Sequence, residues 1–203
     1  NFRKKINSMK DIQGLKMRIP GLGGKVIAKA GGNPILLSAA EVYTALERGT
    51  IDATEWVGPL HDKRFGLDRI AKYYYYPGWH EPGPQMEMII NQKAWDKLSE
   101  PLKKIVEACI AKSGLTLSTK NEAENAMALQ EIIDEGRVEL IRFPDNVLAK
   151  LKNLNTQVPA EEAAKDEGFR KVLESYQKFQ DLYSPYEAVT SKAYDDSRNV
   201  NSK

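Results

Sequence analysis

The side chains of this sequence that could do chemistry are Arg18, Asp52, Glu55, His61, His80, Glu81 and Cys109. His61 and His80 are too far apart for the paired histidines of a zinc helix, and no serine–histidine–acid set offers itself. Structural or incidental roles are expected for both. Cys109 is the only cysteine, which excludes an internal disulfide and a cysteine-rich metal cluster. It falls in the helical pattern Leu102, Ile105, Val106, Cys109, Ile110 and is expected to be a small core residue. Asp52, Glu55 and Glu81 could form the two-carboxylate machinery of a hydrolase, in which the acids flank the bond to be broken. They obey no spacing rule, however, and Asp52 can equally bond nearby backbone amides.

Arg18 ends an apolar–polar alternation just before a glycine-rich turn. Ligands of α/β sheets gather at the carboxyl ends of strands, and a guanidinium can grip a carboxylate through two parallel bonds. Taken alone, the position fits a surface arginine better. Gly21-x-Gly23-Gly24 lacks the spacing of a dinucleotide fingerprint and the Gly-Lys-Ser/Thr ending of a phosphate loop. A turn that lets a helix pack close to a strand explains it better.

Glu81 sits in a longer feature, Tyr73-Tyr-Tyr-Tyr-Pro-Gly-Trp-His-Glu81-Pro-Gly-Pro, which runs into the apolar Met86–Ile90. Four tyrosines suit a strand showing rings to both faces. Pro77, Pro82 and Pro84 with Gly78 and Gly83 make a stiff turn. A carboxylate fixed there under aromatic rings suits a ligand site. An aromatic strand end that merely caps a core fits equally well, and an aromatic carbohydrate-binding module is a further alternative.

The elements that must position these groups follow from periodicity and caps. Leu15, Met17 and Ile19 alternate as a strand, Gly21 opens a helix with Val26, Ile27 and Ala30, and Gly31-Gly32 stops it. Ile35–Leu37 is a short apolar run. Ser38 and Glu41 form a capping box for a helix that closes at Gly49, and Thr50–Val57 follows as a strand. That strand–helix–strand–helix–strand rhythm predicts an α/β layer with a parallel sheet. Leu67–Lys72 is a short helix or turn, and Met86–Ile90 a strand. Asn91 caps a helix, and Ser99-Glu100-Pro101 starts another, mostly helical to Glu135 with a break near Ser113-Gly114. Val138–Pro144 is a last strand and Asp145 caps a helix. Pro159 to Lys203 is a helical tail with Phe169, Val172, Leu173, Tyr176, Phe179, Leu182 and Tyr183 at helical spacing, kinked or restarted at Pro185. Such a stripe faces a core or clasps a partner subunit. A net charge of +2, from 30 basic and 28 acidic residues with no basic block, makes nucleic acid a poor partner. No run of apolar residues is long enough for a spanning helix.

Three motifs resemble the solute-binding subunits of TRAP (tripartite ATP-independent periplasmic) transporters. They are Gly14-Leu-Lys-Met-Arg18-Ile19, then Tyr43-x-Ala-Leu-x-x-Gly49-Thr-Ile-Asp-Ala-Thr-Glu55-Trp56-Val-Gly-Pro59, then Tyr75-Tyr-Pro-Gly-Trp79 with Glu81. The likeness runs along the chain in order and is greatest to the branch that binds 2-oxo and 2-hydroxy monocarboxylates. It implies an α/β, periplasmic binding protein-like (type II) clamshell with long C-terminal helices, in the periplasm, with no enzymatic activity. Residues 1–203 would be the later part of a longer protein, lacking most of the N-terminal lobe, and residues 159–203 a helical tail able to dimerise. By position, Arg18 matches the arginine that binds the ligand carboxylate, and Glu55 and Trp56 match residues lining the site. A sodium or calcium ion would be held by Glu55, by the Trp56 backbone carbonyl and by Glu81. The implied partners are a small organic acid, the TRAP membrane permease subunits and a second copy of the chain.

Overall fold

The computed structural model describes residues 1–81, 83 and 86–198. By its internal contacts the chain divides into two units, residues 1–152 and 153–203.

The first unit is built on parallel strands. Strand β1 (Lys16–Arg18) lies between β2 (Asn33–Ile35) and β3 (Ala53–Thr54), and both pairings are parallel, as the rhythm predicts. Helix α1 (Gly21–Lys29) connects β1 to β2, and α2 (Ala39–Arg48) connects β2 to β3. The capping box of Ser38 and Glu41 starts α2, and Gly49 in the left-handed region ends it. Gly24 is needed for close approach: a Cβ there would lie 2.7 Å from the carbonyl oxygen of Ile19, so the glycine lets α1 settle against the strand end. Val42, Leu46 and Ile51 are fully buried with Leu67 and Ala71, and Trp56 and Phe65 pack against them.

A second parallel pair joins β4 (Tyr73–Tyr76) to β5 (Glu139–Arg142). Phe2 links the pairs as a single rung, bridging Ala53 on one side and Tyr73 on the other. Between β3 and β4 lie α3 (Pro59–Arg64) and α4 (Leu67–Ile70). Helix α3 was not expected. Its start signal, a proline after glycine, also suits the end of a strand, and six residues leave little room for periodicity. The strand expected over Thr50–Val57 shortens to Ala53–Thr54.

After α5 (Gln92–Asp96), capped by Asn91, helix α6 runs unbroken from Glu100 to Glu135. The break expected at Ser113-Gly114 is absent: one glycine costs a helix about 1 kcal/mol, which 36 residues of continuous bonding absorb. Cys109 is exposed on this helix rather than a small core residue, and Leu102 and Ile105 of its apolar pattern are exposed with it. Met86–Ile90 forms no strand and takes no place in either parallel set of described strands. Pro82 and Pro84, expected to stiffen the turn before it, lie outside the described residues.

Helix α7 (Asp145–Ala163) begins at Asp145 itself, which pairs with Arg142 at 2.6 Å, and continues through Pro159. In the second unit, α8 (Glu167–Val189) passes Pro185 without restarting, and α9 (Ser191–Arg198) follows. On α8 the expected stripe is present. Val172, Tyr176, Phe179, Leu182 and Tyr183 are all exposed, with the rings of Phe179 and Tyr183 stacked at 5.6 Å. Among the described residues no helix is long and apolar enough to cross a membrane.

Candidate functional site

The strand order β2-β1-β3 sets the location of the site. The chain leaves β1 for β2 on one side, then crosses to β3 on the other, so the order reverses between β1 and β3. Ligand crevices form outside the carboxyl ends of strands at such a switch point. Arg18 is the last residue of β1 and pairs in register with Thr54, and Glu55 follows directly. The backbone N–H of Glu55 donates to the Arg18 carbonyl at 3.2 Å, which locks the two positions side by side.

Their side chains meet. Arg18 Nη1 donates to Glu55 Oε1 at 2.5 Å, with 14% and 11% of the two side chains exposed. The surface-arginine reading therefore fails. The guanidinium also lies over the Trp56 ring, 5.3 Å from its centroid, and Trp56 stacks on Phe65 at 4.8 Å. Arg18 Nε is buried and has no hydrogen-bond partner among the described residues. An orphaned guanidinium N–H beside a carboxylate is a position from which an anionic ligand can gain a bond.

Glu55 and Trp56 border a cavity of about 600 Å³, with Tyr74, Trp79, His80 and Glu81 on other parts of its wall. Arg18 is not on that wall; it is reached through Glu55. The cis Tyr76–Pro77 bond leads from β4 into the turn, and at Gly78 a Cβ would come 3.1 Å from the Glu81 carbonyl oxygen. That close approach folds Glu81 back toward the strand end. The loop also carries His80 to Glu55, with Nε2 3.7 Å from Oε2.

The tyrosines serve as a frame rather than a platform. Tyr74 is buried and its hydroxyl donates to Asp62 Oδ2 at 2.7 Å; burial, then the Asp62 charge, pushes that hydroxyl far above the usual tyrosine range. Asp62 also accepts from Asn1 Nδ2 at 2.9 Å and from the Gly58 N–H at 3.2 Å. The Tyr75 hydroxyl accepts from the Ile6 N–H at 2.8 Å while its ring stacks on Phe143. A carbohydrate platform needs rings open along a groove, and Tyr74 and Tyr75 are committed inward.

Of the sequence candidates, Glu55, Trp56 and Glu81 border the same cavity and Arg18 backs it. Asp52 stands apart. It accepts from the Lys16 N–H at 3.1 Å and pairs with Lys4 at 2.7 Å. Burial raises its carboxyl, but these bonds and the lysine charges outweigh that and hold it below the ordinary carboxylate range. His61 lies on α3 and is not part of the cavity wall. Sequence reasoning named His80 but set it aside as incidental, and it did not weigh Asp62. For His80 the available signal was its place beside Glu81 in a stiff turn; for Asp62 it was an acid poised to reach back to Gly58 at a helix start.

The sequence profile of the bacterial extracellular solute-binding proteins, family 7, matches residues 1–167. The chain belongs to this family. The family consists of transport solute-binding proteins, not enzymes, so the hydrolase alternative is set aside. Among family 7 relatives, the monocarboxylate 2-oxoacid-binding periplasmic protein of Nostoc sp. is 37% identical over 96% of this chain and 53% of its own length. The crystal structure of a TRAP periplasmic solute-binding protein from Pseudoalteromonas atlantica, with bound sodium and pyruvate, superposes with a TM-score of 0.91. It is 41% identical, over 97% of this chain and 60% of that one. A TRAP solute-binding protein from Bordetella bronchiseptica, a mixed-occupancy dimer with calcium and picolinate in one site, gives 0.92 at 34% identity, over 97% and 58%. The chain thus spans a little over half the length of the relatives it matches.

Proposed function

We propose that this family 7 chain forms part of a TRAP transporter's periplasmic solute-binding subunit. It captures a small 2-oxo or 2-hydroxy monocarboxylate, of the pyruvate or lactate kind, and hands it to membrane permease subunits. The observation that carries this reading is the buried Arg18–Glu55 pair at the carboxyl ends of β1 and β3, beside a 600 Å³ cavity. Arg18 already pairs with one carboxylate through Nη1, and its Nε, without a partner among the described residues, is available to a ligand carboxylate. The binding of pyruvate and picolinate by relatives supports the substrate class.

The donor set fits a hard cation. Glu55, Glu81 and the Trp56 backbone carbonyl are all oxygen donors at one cavity, and such ions take oxygen ligands in numbers of six or more. No cluster of three acidic, histidine or cysteine side chains converges among the described residues. These groups therefore supply part of a shell, which the two oxygens of a chelating 2-oxo acid extend. A bound sodium or calcium ion would supply positive charge that, with Arg18, offsets the desolvation of the ligand's carboxylate. Trp56 and Trp79 exclude water around that carboxylate. Calorimetric titration of the intact natural protein with pyruvate, before and after removal of sodium and calcium, tests this. Affinity falls on removal, and Glu81→Gln removes most of that dependence; indifference to both treatments takes Glu81 out of the site.

The exposed stripe of α8 supports a second element of the reading, a homodimer formed through the C-terminal helices. Light scattering with and without the residues after Pro159 tests it: truncation yields the monomer mass, and a dimer that survives truncation overturns it.

A further inference from the structure

Glu55 has two neighbours able to donate to its two oxygens, and the carboxylate-binding reading proposed above gives work to only one of them. Arg18 holds Oε1; His80 faces Oε2, with Nε2 at 3.7 Å. The imidazole is fixed by its surroundings. It meets Trp79 edge-on at 5.5 Å between centroids, and its Cβ lies 3.6 Å from where a side chain on Gly23 would begin. Only 21% of the side chain is exposed. Its other nitrogen, Nδ1, is buried with no hydrogen-bond partner among the described residues. A buried N–H with no acceptor costs more than a bare lone pair, so in the neutral ring the hydrogen sits on Nε2, pointing at Glu55.

We infer that His80 is a positioning residue for ligand binding, holding Glu55 by Oε2 when the ligand's carboxylate takes Arg18 away from Oε1. The cation that Glu55 would help to hold offsets part of its charge, but a second donor is still needed to keep this nearly buried carboxylate from turning on the incoming anion, which it would repel. A carboxylate shift of under an ångström brings Oε2 into hydrogen-bond range of Nε2, and such contacts commonly tighten only once the ligand is in place. His80 thus lets one pocket hold two carboxylates, its own and the ligand's, with a separate donor for each. The inference rests on the monocarboxylate reading and adds a residue to it.

The test compares His80→Phe, which keeps a flat ring and loses the donor, with His80→Gln, which restores an N–H at similar reach. Both are made in the intact natural protein and titrated with pyruvate by calorimetry in buffer containing sodium and calcium. Thermal unfolding without pyruvate runs alongside. His80→Phe weakens binding about tenfold, and His80→Gln recovers most of the loss. Unfolding of the unliganded protein changes little in either, because the bond to Glu55 forms with the ligand. Wild-type affinity in His80→Phe, or equal weakening in both variants, overturns the inference while leaving the monocarboxylate reading standing. If the wild-type protein takes up neither pyruvate nor lactate, that reading fails and the inference falls with it.

Discussion

The two ends of α6 differ in what lies against them. Toward its C-terminus Ala128 and Ile132 are buried, and the helix is pinned to α3. Asn125 Oδ1 accepts from the Leu60 N–H at 2.9 Å, and Lys63 reaches both Glu131 and Glu135. Toward its N-terminus Leu102, Ile105 and Leu115 are exposed, as are Met88 and Ile89 just before α5. Both ends carry similar apolar residues at helical spacing. Sequence periodicity marks which side chains would be buried if a partner came, and only the rest of the chain decides whether one does.

Paired substitutions break or sharpen that contrast. Ile132→Ala removes a side chain only 1% exposed and lowers unfolding free energy by about 2–5 kcal/mol. Ile105→Ala, at 57% exposure, changes it by about 0.5 kcal/mol or less. Urea unfolding of both checks this, and equal losses would show that the two ends are covered alike. Asn125→Ala strands the Leu60 N–H at the docked end and costs about 1–3 kcal/mol by the same measurement. Gly114→Ala, where an added Cβ meets nothing within 4 Å, runs the other way and stabilises by about 0.5–1 kcal/mol. A destabilised Gly114→Ala would mean that the helix does bend there.

Much of the first unit was legible because its signals are local. The Ser38–Glu41 box, Gly49 and Asn91 each act within a few residues, and each ends or starts a helix as expected. What failed needed knowledge of partners. Met86–Ile90 has the residues of a strand but takes no place in a sheet among the described residues, and Cys109 shares a helical apolar pattern with the exposed Leu102 and Ile105. Helix α8 does not restart at Pro185, and Pro159, where the tail was expected to begin, sits inside α7. At the site, the resemblance drew Arg18, Glu55, Trp56 and Glu81 together from across more than sixty positions, and residue types alone could not have done so. His80 was set aside as incidental, because its neighbours in sequence do not encode its distance to Glu55.

The central claim is that Arg18 is the anchor for a ligand carboxylate. Calorimetric titration of the intact natural protein with pyruvate, wild type beside Arg18→Ala, tests it most directly. The account predicts micromolar or tighter binding in the wild type and a loss of about a hundredfold or more in Arg18→Ala, where Glu55 is also left without its partner. Unchanged affinity in Arg18→Ala would contradict it.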